Sequence, residues 1–346
     1  MSGNKSLDRE LIESARNGDL ENVRALLSAG ADMYAEDGRV LIAAAGNGQN
    51  DIVKELIENG IDLKSKYYKH IMLWAADGGN AEVVKTLVAA GAKVSSDNDC
   101  ALRWASERGE LDVVKVLLEA GANVHAKNDE ALRGAVDNGR IKVVKTLIGS
   151  GADVHADNDN ALRSASIIGN SEIVRILLEA GADVHAKNDA ALRLASAVGH
   201  TETVKILLKA GADVRAKDDA LRLASEKGRT EVVRVLLKAG ADVGCEDNEA
   251  LRGAAYNGHC EIVEMLLEAG ADVHAEHDEA LRVSASCGHI KVVNLLLDAG
   301  ADIHANEDQA LQWATENGYT EVADVLRSFQ ERVAKEDKSS NPARVR

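Results

Sequence analysis

Glycine recurs along this chain at an interval that a single globular core would not require. The pair Gly-Ala closes a segment at Gly30, Gly91, Gly121, Gly151, Gly181, Gly211, Gly240, Gly270 and Gly300, with Gly60-Ile61 as a variant. The steps between these glycines are 30, 31, 30, 30, 30, 30, 29, 30 and 30 residues. A period of this length implies small units that each form one supersecondary element and stack on their neighbours. One unit, Val124–Asp153, reads VHAKNDEALRGAVDNGRIKVVKTLIGSGAD and predicts two helices. Asp129, three residues before Leu132, reads as the N-cap of the first helix, its carboxylate accepting from the free N–H groups of the first turn. Asp159 and Asp189 repeat the arrangement, and Asn248 replaces them once. Leu132 and Ala135 share a face, where the small Ala admits a close neighbour, and Gly139 ends the helix. In the second helix Val143, Val144, Leu147 and Ile148 form a broad apolar face, suited to lie between the repeats before and after. The segment Ala152–Ala156, Ala-Asp-Val-His-Ala, is expected to run extended into the next unit.

Such a unit cannot bury both of its faces alone, so stacking is obligatory. The expected fold class is all-α: a solenoid of about eleven stacked helix-turn-helix units. Residues 1–32 read as an N-terminal capping repeat, because Asp8, Arg9, Glu10 and Glu13 stand where inner repeats carry small residues. Residues 33–302 hold nine internal repeats, 303–332 a C-terminal capping repeat ending in Gln330-Glu331-Arg332, and 333–346 read as a disordered tail. Composition agrees, since aromatics are 3%, Phe occurs once, Pro only at Pro342, and Ala, Val and Leu dominate a hydrophobic share of 45%. Small side chains suit thin, closely spaced helices. At about 9–10 Å per layer, eleven layers would span roughly 100 Å.

A net charge of −16 argues against nucleic acid and anionic membrane surfaces as partners, since both require an excess of Lys and Arg. The polar start MSGNKSLDRELIESARNG has no signal-peptide core, and no run of about 18 apolar residues occurs. Cys100, Cys245, Cys260 and Cys287 show neither metal-site spacing nor a secreted disulfide framework, which points to a reducing, cytoplasmic setting. No nucleophile–base constellation or phosphate-binding glycine loop stands outside the repeat register. The expectation is therefore a non-enzyme with no cofactor and no metal.

The segment GHTETVKILLKAGADV, residues 199–214, and its counterparts in every unit resemble the ankyrin repeat, over roughly residues 7–330. The resemblance implies an ankyrin-repeat solenoid that binds a protein partner. It also shows a departure. Ankyrin units are usually 33 residues long with a Thr-Pro-Leu-His start, whereas here the finger is shortened by three residues and x-Ala-Leu-Arg replaces that start. The thirty-residue form with Asn-Asp-x-Ala-Leu-Arg looks like the short-finger arrays encoded by giant viruses of amoebae, Mimivirus-like, which would place the chain in host cytoplasm. A shorter finger presents less surface, so binding is expected to shift to the concave helix face.

Stacking turns each repeat position into a column. Arg103, Arg133, Arg163, Arg193, Arg222, Arg252 and Arg282, ending at Gln312, read as layer-tying residues paired with carboxylates such as the Asp caps. His125, His155, His185, His274 and His304 lie about 10 Å apart, too far to share a metal ion, and read as loop-stabilising hydrogen-bond donors. His259, Cys260, Cys287 and His289 sit near adjacent turns, where a structural Gly-His role outweighs metal binding. The pair before the first helix's terminal Gly is polar in most repeats. Ile167-Ile168 and Ala197-Val198 break that rule in adjacent repeats 6 and 7, while Tyr256-Asn257 adds an aromatic. The position after each Asp is likewise least charged at Asn160 and Ala190. These eight residues form the candidate partner site, an apolar centre with an acidic rim. Repeat 3 carries Lys66-Tyr67-Tyr68-Lys69-His70 in its finger and Leu73 before Trp74 in place of the Arg, and reads as either an eroded repeat or a specialised loop.

The functional expectation is a monomeric adaptor or scaffold that binds a folded protein on its concave face. Two alternatives are a structural, self-associating virion or filament component and a substrate-recruiting subunit of a ubiquitin ligase. The second is disfavoured because only about 16 residues follow the last cap, too few for a recruiting domain.

Overall fold

The computed structural model describes residues 2–340, the side chains of 2–4, 214–215 and 336–340 excepted. Twenty-two α-helices and one short 3₁₀-helix, Lys66–Tyr68, account for its regular structure, with no strand among the described residues. In repeat 5 the first helix is Ala126–Asp137 and the second Ile141–Gly149. First helices pack on first helices and second on second, as Cys100–Arg108 does on Ala126–Asp137 and Leu111–Glu119 on Ile141–Gly149. Val143, Val144 and Leu147 are all buried, and Ala135 is fully so, as the apolar spacing requires. The chain forms two compact units, Met1–Ala165 with Glu172–Asp183, and Ser166–Ser171 with Val184–Arg346. The same layering recurs in the second unit, where Ala186–Val198 packs on Val214–Glu226 and Thr201–Lys209 on Thr230–Lys238. No helix of the described residues is long and apolar enough to cross a membrane.

The link between repeats differs from the expected extended segment. The chain turns, with the Ala126 N–H donating to the Asn123 carbonyl at 3.2 Å. Three consecutive residues then adopt left-handed backbone: Lys127, Asn128 and Asp129, with φ of 52°, 56° and 56°. The same left-handed triplet occurs at 97–99, 157–159, 187–189, 246–248, 276–278 and 306–308. An L-residue in this region costs about 1–2 kcal/mol, less for Asn and Asp, whose short side chains hydrogen-bond locally. Side chains must therefore hold the turn.

Asp129 does so, but not as an N-cap. Being left-handed itself, it directs its side chain to the following loop, where Oδ1 accepts the Asp153 N–H at 2.8 Å. The carboxylate is 4% exposed and also receives His125 Nδ1 at 3.2 Å. Asp99, Asp159, Asp189, Asp218 and Asp278 make the same bond to the N–H 24 residues on, at 2.7–3.0 Å, and Asn248 supplies its amide oxygen at 2.8 Å. The N-cap reading is thus corrected: these carboxylates join successive loops. The arginines grip the other side of the turn. Arg133 donates to the Lys127 carbonyl at 3.0 Å, Arg193 to Lys187 at 3.1 Å, and Arg282 to Glu276 and His277 at 2.8 and 3.0 Å. Their free ends reach carboxylates in the next layer, Arg103 to Glu130 at 2.8 Å, Arg222 to Glu249 at 3.5 Å and Arg252 to Glu279. The layer-tying role expected of arginine holds, with the residue after the Asp, and not the Asp, as its acidic partner.

Repeat 2 solves the same problem differently. Gly38 stands where others have Asp and has no acceptor, so the Tyr34 hydroxyl takes the Asp62 N–H at 2.9 Å. Tyr68, only 2% exposed, packs where a Cβ on Gly38 would lie 2.7 Å from its ring, and burial pushes its phenol well above the ordinary range. At the far end the last helix runs Thr320–Ser340, past the point where the tail was expected to start. Gln330, Glu331, Arg332, Ala334 and Lys335 are strong helix formers with no glycine among them, which extends the helix. The remainder of the expected tail, 341–346, lies outside the described residues.

Asp129→Ala should lower stability by about 1–3 kcal/mol by orphaning a half-buried N–H, whereas Asp129→Asn, as at Asn248, should be near neutral. Urea denaturation midpoints of the two variants would separate these outcomes.

Candidate functional site

With the loops occupied in joining layers, the exposed face of the first helices is the surface left free to vary. In the second unit this face carries Ile167, Ile168 and Val198 at 43%, 43% and 41% exposure, large apolar side chains standing in water. Ala197 beside them is half-buried. Their helix ends are fixed from the following layer. His200 Nε2 donates to the Ile167 carbonyl at 2.8 Å, and Arg229 Nε to the Ala197 carbonyl at 3.1 Å. His259 and His289 donate likewise to the carbonyls of Glu226 and Tyr256, at 3.1 and 2.9 Å. This is the structural Gly-His role foreseen for that turn, and it sets the Nε2–H tautomer. Gly169 is needed there, because its φ is +79° and a Cβ would fall 2.3 Å from the His200 ring.

A charged rim bounds the apolar pair of layers. Lys227 pairs with Glu226 at 2.9 Å, and Arg222 lies 3.5 Å from Glu249 and 3.9 Å from Glu246. The hydrogen bond and like charge from Glu249 hold the Glu246 carboxyl above its ordinary range. Tyr256 is 55% exposed but sits beyond repeat 8, so the Glu226–Lys227 ion pair separates it from the aliphatic patch. Asn257 is exposed beside it, its amide donating to the Gly253 carbonyl at 2.9 Å.

Ala190 and Asn160 do not join this group. Ala190 is 9% exposed, a correction to its reading as a contact residue. It also lies seven residues before Ala197, about 10 Å along the helix at 1.5 Å per residue. Asn160 is half-buried at the equivalent end of its helix. Where that column is acidic, at Glu130, Asp219, Glu249 and Glu279, it serves as the arginines' counter-charge. Sequence reasoning missed half-buried Leu194 and Leu223, which extend the aliphatic surface, and Trp74 and Trp104, exposed at 46% and 42% in the first unit. The signal was the position following the Arg, which alternates between bulky and vanishing side chains: Trp104, Gly134, Ser164, Leu194, Leu223, Gly253.

Chemistry at the remaining candidates is restrained. Burial pushes the Cys100 and Cys245 thiols up, the carboxylates of Asp97 and of Asp218 adding to it, so neither is poised as a thiolate nucleophile. Among the described residues no group of three His, Cys, Asp or Glu could hold a metal ion.

A family model described as ankyrin repeats in three copies matches residues 11–98, 41–128, 132–218, 216–277 and 254–337. No curated protein matches the chain.

Because its thiol is held above the ordinary range, Cys100 should be alkylated by iodoacetamide at pH 8 more slowly than free cysteine. The lag should close as pH rises further, a profile that peptide mass spectrometry can follow.

Proposed function

This chain belongs to the ankyrin-repeat family, and from that premise we propose that it is a non-catalytic protein-binding scaffold. Its partner docks on the exposed face of the first helices, with Ile167, Ile168, Ala197 and Val198 as the apolar centre. The observation that carries this reading is the trio of large aliphatic side chains, each more than 40% exposed, on helix ends locked in place from the next layer. Exposed apolar clusters rimmed by charge are the usual anchors of interfaces. Their rigidity matters, since binding costs less when the contacting groups are already ordered. Tyr256 and Asn257 contribute at the margin, beyond the charged rim, while buried Ala190 and half-buried Asn160 act through the fold. The working form is a cytoplasmic monomer. The short finger and its Asn-Asp-x-Ala-Leu-Arg signature support the narrower reading of a viral array acting in an amoebal host.

Completing the burial of Ile167, Ile168 and Val198 would contribute about 1 kcal/mol each, together roughly a hundredfold in affinity. Ile168→Asp combined with Val198→Asp should weaken retention of the partner at least that much while leaving far-UV circular dichroism unchanged. Equal retention by the folded double variant would remove the assignment.

A further inference from the structure

The first unit carries a different surface, and it does not depend on the one just described. We propose that the exposed face of repeats 3 and 4 is a second docking surface, suited to an acidic polypeptide segment bearing an aromatic side chain.

Three observations meet there. The first is a pair of ordered indoles on neighbouring helices, Trp74 on Ile71–Asp77 and Trp104 on Cys100–Arg108, exposed at 46% and 42%. Trp104 Nε1 donates to Asp77 Oδ1 at 2.6 Å, and Arg108 completes the group, 3.1 Å from Asp77 and 5.8 Å above the Trp104 ring. Large rigid aromatics at a surface are the side chains that most often carry binding energy. The fixed geometry removes much of the ordering cost.

The second is a pocket of about 410 Å³ beside Trp104. Its apolar wall comes from Leu73, Cys100 and Trp104, and it opens because Gly134 has no side chain in the column that holds Trp in repeats 3 and 4. Leu73 occupies the place of the column arginine, so a charge is missing where other repeats have one. Arg103 and Arg133 stand at the rim with Glu107, Glu130 and Asp137, Arg103 being paired with Glu130 at 2.8 Å, so the pocket takes the uncharged ring and the finger takes the acidic flanks. The volume lies at the lower end of the range for ligand pockets, fitting one ring and its flanking backbone.

The third is charge. In a chain of net −16, the repeat 3 finger places Lys64, Lys66, Lys69 and His70 within seven residues, where other repeats carry loops such as Asp97-Asn98-Asp99 or Glu246-Asp247. Lys69 and His70 each lie 3.1 Å from Asp97, whereas Lys64 and Lys66 are exposed with no ion pair among the described residues. The Lys66 ammonium sits 5.2 Å over the Tyr67 ring. His70 immediately precedes the helix that carries Trp74, its carbonyl accepting the Trp74 N–H at 3.3 Å, so the basic finger leads directly onto the indoles. Acidic flanks of a bound segment would meet the finger while its ring enters the pocket. A polypeptide fits better than a nucleic acid or an anionic membrane, because the positive surface is a single loop and the rest of the chain repels a long polyanion.

The test is selection from a random-peptide phage library on the immobilised full-length chain, followed by fluorescence anisotropy with the strongest peptide. Recovered sequences should place a Phe, Tyr or Trp within a run of Asp and Glu. Binding should weaken at least tenfold in Lys64→Glu/Lys66→Glu and in Gly134→Leu, which fills the pocket at a helical position where a Cβ meets nothing closer than 3.5 Å. It should also weaken with added salt and stay unchanged in Ile168→Asp/Val198→Asp. Recovery of no peptides, recovery without acidic and aromatic enrichment, or equal binding by the two first-unit variants would overturn the proposal. So would a 20-nucleotide single-stranded DNA or a phosphatidylserine vesicle whose binding, unlike that of any peptide, is lost on charge reversal of the finger.

Discussion

The structure depends on one hydrogen bond repeated from loop to loop, in which a nearly buried carboxylate takes the backbone N–H found 24 residues further on. The bond gives an acceptor to a backbone N–H that points at the preceding layer. Withdrawing a carboxylate from water is tolerable only when its lone pairs are occupied. Here the N–H and the histidine Nδ1 occupy them. In most loops a left-handed triplet presents the aspartate to this N–H, while Asp8 and Asp218 reach it from helical backbone, and the arginine at the far side holds the carbonyls that the triplet exposes. Asn-Asp-x-Ala-Leu-Arg is therefore a single device: two residues tolerant of positive φ, two core residues and a clamp.

This device explains where function can reside. The loop residues of most repeats are committed to neighbours, and at Gly38, where the carboxylate is missing, Tyr34 substitutes for it. Where the residue after the aspartate is acidic it is committed too, as counter-charge to an arginine. Even the turn between helices has a fixed task, because His200, Arg229, His259 and His289 all donate to carbonyls of the preceding helix end. What remains is the outward face of each first helix. Two stretches of that face break the polar rule, and both are held rigid by those donors or by the Trp104–Asp77–Arg108 group.

The two surfaces differ in kind. The second unit offers aliphatic side chains next to a charged rim, a shape suited to a folded partner whose own apolar patch is broad. The first offers two indoles, a pocket vacated by a glycine, and a basic loop in an acidic chain. The loss of consensus in repeat 3 accounts for the basic loop, with lysines and tyrosines in place of the aspartate-bearing turn, and for Leu73 in place of the arginine, whereas Trp104 and the space left by Gly134 belong to repeats 4 and 5.

The repeat length, the two helices per unit, the apolar faces at Val143, Val144 and Leu147, and the exposed Ile167-Ile168 and Val198 were all legible in the sequence. Helical periodicity and a thirty-residue period are local properties, and an apolar residue in a column of polar ones is visible without coordinates. The period and the apolar faces already require stacking and mark which helix ends depart from polarity. How the layers are joined emerges in three dimensions alone. An aspartate before a helix is chemically an N-cap, and nothing in its local surroundings reveals that a left-handed backbone turns it to an N–H in the next loop. For the same reason Ala190 looked free in sequence and is buried, and Trp104 looked ordinary until Gly134, thirty residues away, was seen to leave the space beside it empty. Contacts between layers come from residues far apart in the chain, so they are decided by packing and not by any pattern within one repeat.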